Sequence, residues 1–266
     1  SLITLVFTDS TSVYFARQLV MERLMEVGQR LPAGITPVLG PVSSGLGEVY
    51  QYTLEHANDG NRELSEEELT QRRVVQDWVL RPLLRSIPGV AEINSQGGYV
   101  KQYHVLVNPE RLRHYKISLS EVYDAVSRNN ANSGGGVLPQ AAEQYLIRGV
   151  GLIQGVNDLG QIVLKEINGT PVYMRDVAEV KLGHDVRQGA LIKNGTTEAV
   201  GGIVMMMTGG NAKEVVSRIK KRVKEINDRG MLPNDLKVVP YYDRSELVDA
   251  ALWTVTKVLI EGVVLV

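Results

Sequence analysis

Four histidines, His56, His104, His114 and His184, are the obvious metal ligands, and no two stand four residues apart as a helical zinc pair requires. Each reads as an ordinary polar side chain. The adjacent His184-Asp185 could orient a ligand through the carboxylate, but neighbours on a strand point to opposite faces, which disfavours that use. Met205-Met206-Met207 offers thioether sulfur, suited to monovalent copper or silver. On a strand Met205 and Met207 share one face and Met206 takes the other, and methionine is a common core filler, so packing is the favoured reading. Gly134-Gly135-Gly136 lacks the Lys-Ser/Thr and the strand-to-helix frame of a phosphate loop and reads as a flexible turn. Gly45-Leu46-Gly47-Glu48 differs, because a carboxylate flanked by glycines sits where backbone lets a ligand approach closely. Carboxylate oxygen suits Zn²⁺ and Co²⁺; the competing reading is an exposed loop acid, and residue chemistry by itself favours that reading. No nucleophile elbow or triad signature is present, so enzyme chemistry has no visible seat.

Composition narrows the classes further. Lys plus Arg (29) balances Asp plus Glu (30), leaving no basic field for a nucleic-acid backbone and no acidic field to gather cations at long range. The chain has no cysteine, which removes thiolate metal sites, disulfides and thiol catalysis together. Its 266 residues suffice for one large domain or two to three small ones. Ser1 opens directly into the apolar run Leu2 to Phe7, without the layout of a signal peptide, and this start reads as a cut. From Ala250 to Val266 only Lys257 and Glu261 are charged; a membrane span needs ~20 apolar residues, so the tail reads as the start of one. The competing reading is a C-terminal packing helix.

The elements that must position these residues follow a weak internal repeat. The strand Leu2 to Phe7, a helix with apolar Val13, Ala16, Val20, Leu24, Val27 and Leu31, and a strand ending at Pro41 form one expected βαβ unit. The strand Ala199 to Met207, a helix with Val215, Val216, Ile219, Val223 and Ile226, and the strand Leu236 to Pro240 form another. Asn211 with Glu214 caps that second helix. Between them Ser65 with Glu68 opens a helix before Pro82. Val90 to Asn94, a Gly97-Gly98 turn and Tyr99 to Val107 read as a hairpin. Residues 108–184 hold a helix capped by Ser118 and Glu121, a strand from Gln161 to Glu166, and strands flanking Asn168-Gly169, an α+β insertion within one larger domain.

The stretch QDWVLRPLLRSIPGVAEINSQGGYVKQYHVLVNPERLRHYKISLSEV, Gln76 to Val122, resembles the first periplasmic loop of heavy-metal efflux pumps of the resistance-nodulation-division (RND) superfamily. The likeness continues through NNANSGGG (Asn129 to Gly136), EQYLIRG (Glu143 to Gly149), RDVAEVKLG (Arg175 to Gly183), GGIVMMMTGGNAKEV (Gly201 to Val215) and YYDRSELVD (Tyr241 to Asp249). It implies an α+β fold of ferredoxin-like βαβ pore subdomains with an inserted α+β docking subdomain, plus the start of a transmembrane helix. By resemblance, residues 1–45 are the later half of pore subdomain PN1, 46–100 and 185–241 make PN2, 101–184 make the docking subdomain, and 242–266 lead into transmembrane helix 2. GLGE followed by VYQY, and the VMM run, resemble the cobalt-zinc-cadmium branch more than the copper-silver branch, which makes Glu48 the one metal-contact candidate.

The resemblance implies a proton-driven exporter of a divalent cation, Zn, Co or Cd, in the inner membrane of a Gram-negative bacterium, with this segment facing the periplasm and no resident cofactor. Implied partners are further copies in a homotrimer, a periplasmic adaptor, an outer-membrane channel, and membrane lipid at the C-terminal end. Asn132 to Gly136 falls where the family extends an arm to the neighbouring protomer, and here that arm looks short. Two other classes stay open. A multidrug exporter of the same fold would need an aromatic pocket, and the chain has two Phe and two Trp. A soluble metal-binding or interaction module would need the apolar tail to fold back onto a core.

Overall fold

The computed structural model describes residues 3–8, 10–28, 30–32, 34–43, 47–140 and 143–265. In chain order the elements are α1 (Val13–Gly28), β1 (Glu48–Glu55), α2 (Glu66–Val75), a π-helical turn (Gln76–Leu80), α3 (Arg81–Arg85), β2 (Val90–Gln96) and β3 (Lys101–Val107). Then come α4 (Pro109–Tyr115), α5 (Leu119–Arg128), β4 (Ser133–Gln140), β5 (Glu143–Gly149), α6 (Val156–Gly160), β6 (Val163–Ile167), β7 (Thr170–Tyr173), α7 (Met174–Val177) and β8 (Ala178–His184). The chain closes with β9 (Leu191–Lys193), β10 (Thr197–Ala199), β11 (Gly201–Met206), α8 (Ala212–Asp228), β12 (Lys237–Asp243) and α9 (Arg244–Leu265). Two compact units result: residues 1–98 with 189–266, and residues 99–188.

The first unit holds a four-stranded antiparallel sheet in the order β12-β1-β11-β2. Strands β1 and β2 both run against β11, and β11 and β12 both run against β1, so each helical connection is a split βαβ crossover and the pattern is ferredoxin-like. The alternation of β1 aims Tyr50, Tyr52 and Leu54 at the helices, where they meet Val215, Val216, Ile219, Val223 and Ile226 of α8 and Leu80 and Leu84 of the α2–α3 segment. Asn211 caps α8 by accepting from Glu214 N, and Ser65 and Glu68 form a full capping box on α2, both as their spacing predicts.

Helix α2 does not stop before Pro82. A proline ring clashes with the carbonyl four residues back and supplies no N–H; the helix widens into the π turn Gln76–Leu80, where Arg81 N–H reaches Gln76 O, and continues to Arg85. The expected first βαβ unit is not formed either. Helix α1 is present, but among the described residues neither 3–7 nor 35–41 pairs with a strand, and Leu2 lies outside them. An extended segment becomes a strand only where a neighbour accepts its hydrogen bonds, and Ile3, Val6 and Val38 remain exposed.

Nor do Val90 to Val107 make a hairpin. Strand β2 joins the four-stranded sheet, whereas β3 pairs with β8 in the second unit. Gly97 and Gly98, at φ 70° and 66°, carry the chain from one unit towards the other instead of folding it back on itself. The second unit packs Ile117, Val122, Leu159, Val172, Met174 and Val177 into its own core. Asn108 and Pro109 start α4, a helix cap and first position missed in the sequence, and Asn168-Gly169, both at positive φ, turns β6 into β7.

The triple glycine is not a free turn. Gly134 to Gly136 belong to β4, which pairs with β5 as a two-stranded ribbon across an irregularity between Gly134 and Val137. Helix α9 starts where Asp243 Oδ1 accepts from Ser245 N and Oγ at 2.8 and 2.7 Å, while Lys220 pairs with the other carboxylate oxygen. Among the described residues no helix is long and apolar enough to cross a membrane, because α9 begins with Arg244, Glu246 and Asp249 and carries Lys257 and Glu261.

Candidate functional site

Glu48 opens β1 and stands opposite Met205 of β11, which in turn stands opposite Glu92 of β2. The register of β1 shifts between Glu48 and Tyr50, a bulge of the kind that re-aims a side chain at a sheet edge or site. Gly47 itself comes close to β11, since a Cβ there would lie 3.0 Å from Met206 O; Gly45 and Leu46 fall outside the described residues. Glu48 is half-buried, and its Oε2 accepts a 3.2 Å hydrogen bond from Gln51 Nε2. Burial first, and the negative charge of Glu48 second, push the Tyr241 phenol of β12 above its ordinary value. The carboxylate therefore lies in a corner where its charge is felt and where one oxygen could contact a cation.

One contact is not a coordination sphere. Among the described residues no three His, Asp or Glu side chains gather as a metal cluster. Glu92 is drawn to Arg81 at 3.5 Å. Met205 is buried, Met206 on the opposite face packs against the core, and Met207 lies beyond the strand. Three of the histidines have defined neighbours. The His184 and Tyr99 rings lie 4.6 Å apart between centres and tilted by 54°, the His184 Nδ1 lies 2.8 Å from Asp185 O, and the Asp185 carboxylate accepts from Val186 N. His114 meets the edge of Tyr115, and His104 lies against Gly183.

The model of the AcrB/AcrD/AcrF family matches residues 1–266, the whole chain. The chain belongs to that family, within the RND superfamily. Members similar to it include protein HelA of Legionella pneumophila, 44% identical over 267 residues, covering 100% of this chain and 25% of HelA. The cobalt-zinc-cadmium resistance protein CzcA of Cupriavidus metallidurans is 43% identical over 268 residues, again covering 100% of this chain and 25% of its own length. A crystal structure of a heavy metal efflux pump superposes with a TM-score of 0.82 at 36% identity, covering 97% of this chain and 24% of that one. This chain thus spans about a quarter of the length of the family members it matches.

Sequence reading of this family member missed the polar groups that shape the first unit from inside. Arg72 and Asp59 are both buried and joined by two bonds, Nη1 to Oδ2 at 2.7 Å and Nη2 to Oδ1 at 2.9 Å. Gln76 is fully buried beside Tyr52. The available signal was positional: Arg72 and Gln76 fall on the same helical stripe as Leu69 and Leu80, where a polar residue needs a buried partner.

Proposed function

We propose that this chain is the periplasmic portion of a proton-driven RND exporter of divalent heavy-metal cations, contributing part of the substrate path and of the docking funnel. The observation that carries the reading is the likeness to a heavy metal efflux pump over 97% of the chain at a TM-score of 0.82. Residues 46–100 with 185–241 are assigned to pore subdomain PN2, 1–45 to the later half of PN1, 101–184 to the docking subdomain and 242–266 to the approach of a transmembrane helix. The ferredoxin-like sheet supports the PN2 assignment. The exporter works as a homotrimer in the inner membrane, with a periplasmic adaptor and an outer-membrane channel as partners and lipid meeting the apolar end. The β4–β5 ribbon supports the trimer, because its described side chains are exposed on both strands and an isolated two-stranded ribbon is marginal in water without a surface to lie on.

The cation is zinc, cobalt or cadmium as substrate, and Glu48 is one oxygen contact on its route; the remaining ligands come from outside this segment. The named substrate of CzcA and the carboxylate chemistry of Glu48 support a borderline divalent ion over a monovalent soft one. Resistance of a metal-sensitive host expressing the intact pump tests this. Glu48→Gln is expected to lower zinc or cobalt tolerance with unchanged trimer yield, and Met205→Leu with Met207→Leu to leave it nearly intact, since volume and apolarity are conserved. Loss of copper or silver tolerance on the methionine change, with a silent Glu48→Gln, would assign the pump to soft monovalent ions.

A further inference from the structure

The motif Gln76-Asp77-Trp78 has no part in the cation reading, yet its first two side chains enter a continuous polar chain. Tyr52 Oη donates to Gln76 Oε1 at 3.1 Å, and Gln76 Nε2 donates to Ser95 Oγ at 3.3 Å. Ser95 Oγ donates to Asp77 Oδ1, and Asp77 Oδ2 accepts from Arg73 Nε at 2.8 Å. Arg73 Nη1 then donates to Gly97 O at 2.7 Å. The line runs from a central strand of the sheet, through α2 and β2, to the carbonyl at which the chain turns out of the first unit.

The structure around the line is shaped to keep it. Gly202 leaves room for it, because a Cβ there would lie 2.5 Å from Tyr52 Oη and 2.9 Å from Gln76 Nε2. The π turn that begins at Gln76 departs from ordinary helix geometry in the same place. At the far end Gly97 and Gly98 adopt left-handed φ values, and a Cβ on them would meet Ala199 O at 2.2 Å and Leu69 O at 2.8 Å. Apolar side chains alone would hold the α2–α3 segment on the sheet, as Val75, Leu80 and Leu84 already do. Only a donor can grip the Gly97 carbonyl, and two successive glycines are where a chain otherwise bends most freely.

We propose that Arg73, Asp77, Ser95, Gln76 and Tyr52 are positioning residues that splint the Gly97–Gly98 crossing, so that the backbone entering residue 99 is held to the sheet and does not swing at the glycines. The inference stands independently of the transport reading. It is tested by amide hydrogen exchange on the whole chain, following the segment 94–100, with α8 as internal reference. Ser95→Ala and Arg73→Lys are expected to speed exchange in 94–100 by about tenfold with α8 changed less than about twofold, as for a local opening. The lysine change matters because one ammonium cannot reproduce the forked grip on Asp77 and Gly97 together. Arg62→Lys, an exposed pair partner near the start of α2, should leave 94–100 unchanged. Equal acceleration in both segments, or in neither, would overturn the proposal; either variant suffices if the other does not fold.

Discussion

Removing the Asp59 carboxylate should be among the costliest single changes in the first unit. Arg72 has 3% exposure, and its guanidinium makes the two bonds to Asp59 and one from Nη1 to Leu54 O at 3.1 Å. Asp59→Ala leaves the guanidinium buried with only that carbonyl, and breaking a buried pair in this way costs about 3–5 kcal/mol. The neighbouring Arg62–Asp59 contact, 3.3 Å and half exposed on the arginine side, adds little. Replacing both partners, Asp59→Ala with Arg72→Met, removes the stranded charge and should recover most of the loss, because an apolar replacement of a buried pair is often neutral. Urea unfolding followed by far-ultraviolet circular dichroism at neutral pH measures both changes. Acid supplies a second reading. Burial by itself would raise the Asp59 pKa, but the bonds from Arg72 and from His56 N–H outweigh it and hold the carboxyl below its ordinary value. The folded pKa lies below the unfolded one, so the contribution is present above the unfolded value and is lost as pH falls through the folded value. The gap between the parent and Asp59→Ala should therefore narrow in acid. A single change costing under about 1 kcal/mol, or a double change no better than the single, would refute the reasoning.

Two further outcomes follow from crowding and exposure. Gly202→Ala pushes a methyl into the Tyr52–Gln76 contact and should cost about 1–3 kcal/mol, read as a lowered melting temperature with the fold retained. Deleting residues 250–266 should reduce self-association in light scattering and leave the melting temperature within a few degrees, because Leu252, Trp253, Val258 and Leu259 are each more than half exposed; a fall of many degrees would make the tail part of the core.

Helices with local signals were legible in the sequence. Ser65, Ser118 and Asn211 stand where their capping partners lie three residues on, and the 3, 4 spacing of Val216, Ile219, Val223 and Ile226 marks the face that α8 buries. Strand partners were not legible, since pairing is decided by residues far away in the chain. Val90 to Val107 looks like two strands about a Gly-Gly turn, and what separates them is that β2 finds β11 and β3 finds β8. The likeness of residues 2–41 to 199–240 is real at the level of pattern, yet a pattern becomes a sheet only beside a neighbour. Glu48 could be named as a carboxylate near glycines; its placement against Met205 required the register.

That register also explains how an insertion and the Glu48 carboxylate can share one small sheet. In a ferredoxin-like fold the second and third strands are adjacent and antiparallel, so their ends already lie together, here Gln96 beside Gly201. Opening that connection to admit residues 99–188 costs little, because the entropy of closing a loop grows only slowly with its length. The pairing of β2 with β11 is meanwhile fixed by the buried faces of Ile93 and Val204. Glu48 pairs with Met205, four residues further along β11, roughly 14 Å from the insertion at a strand rise of about 3.4 Å per residue. A strand held on both sides along most of its length is stiff over that distance. Changes in the inserted unit can therefore leave the carboxylate undisturbed, provided the crossing itself stays pinned, which is the task proposed for Arg73 and its partners.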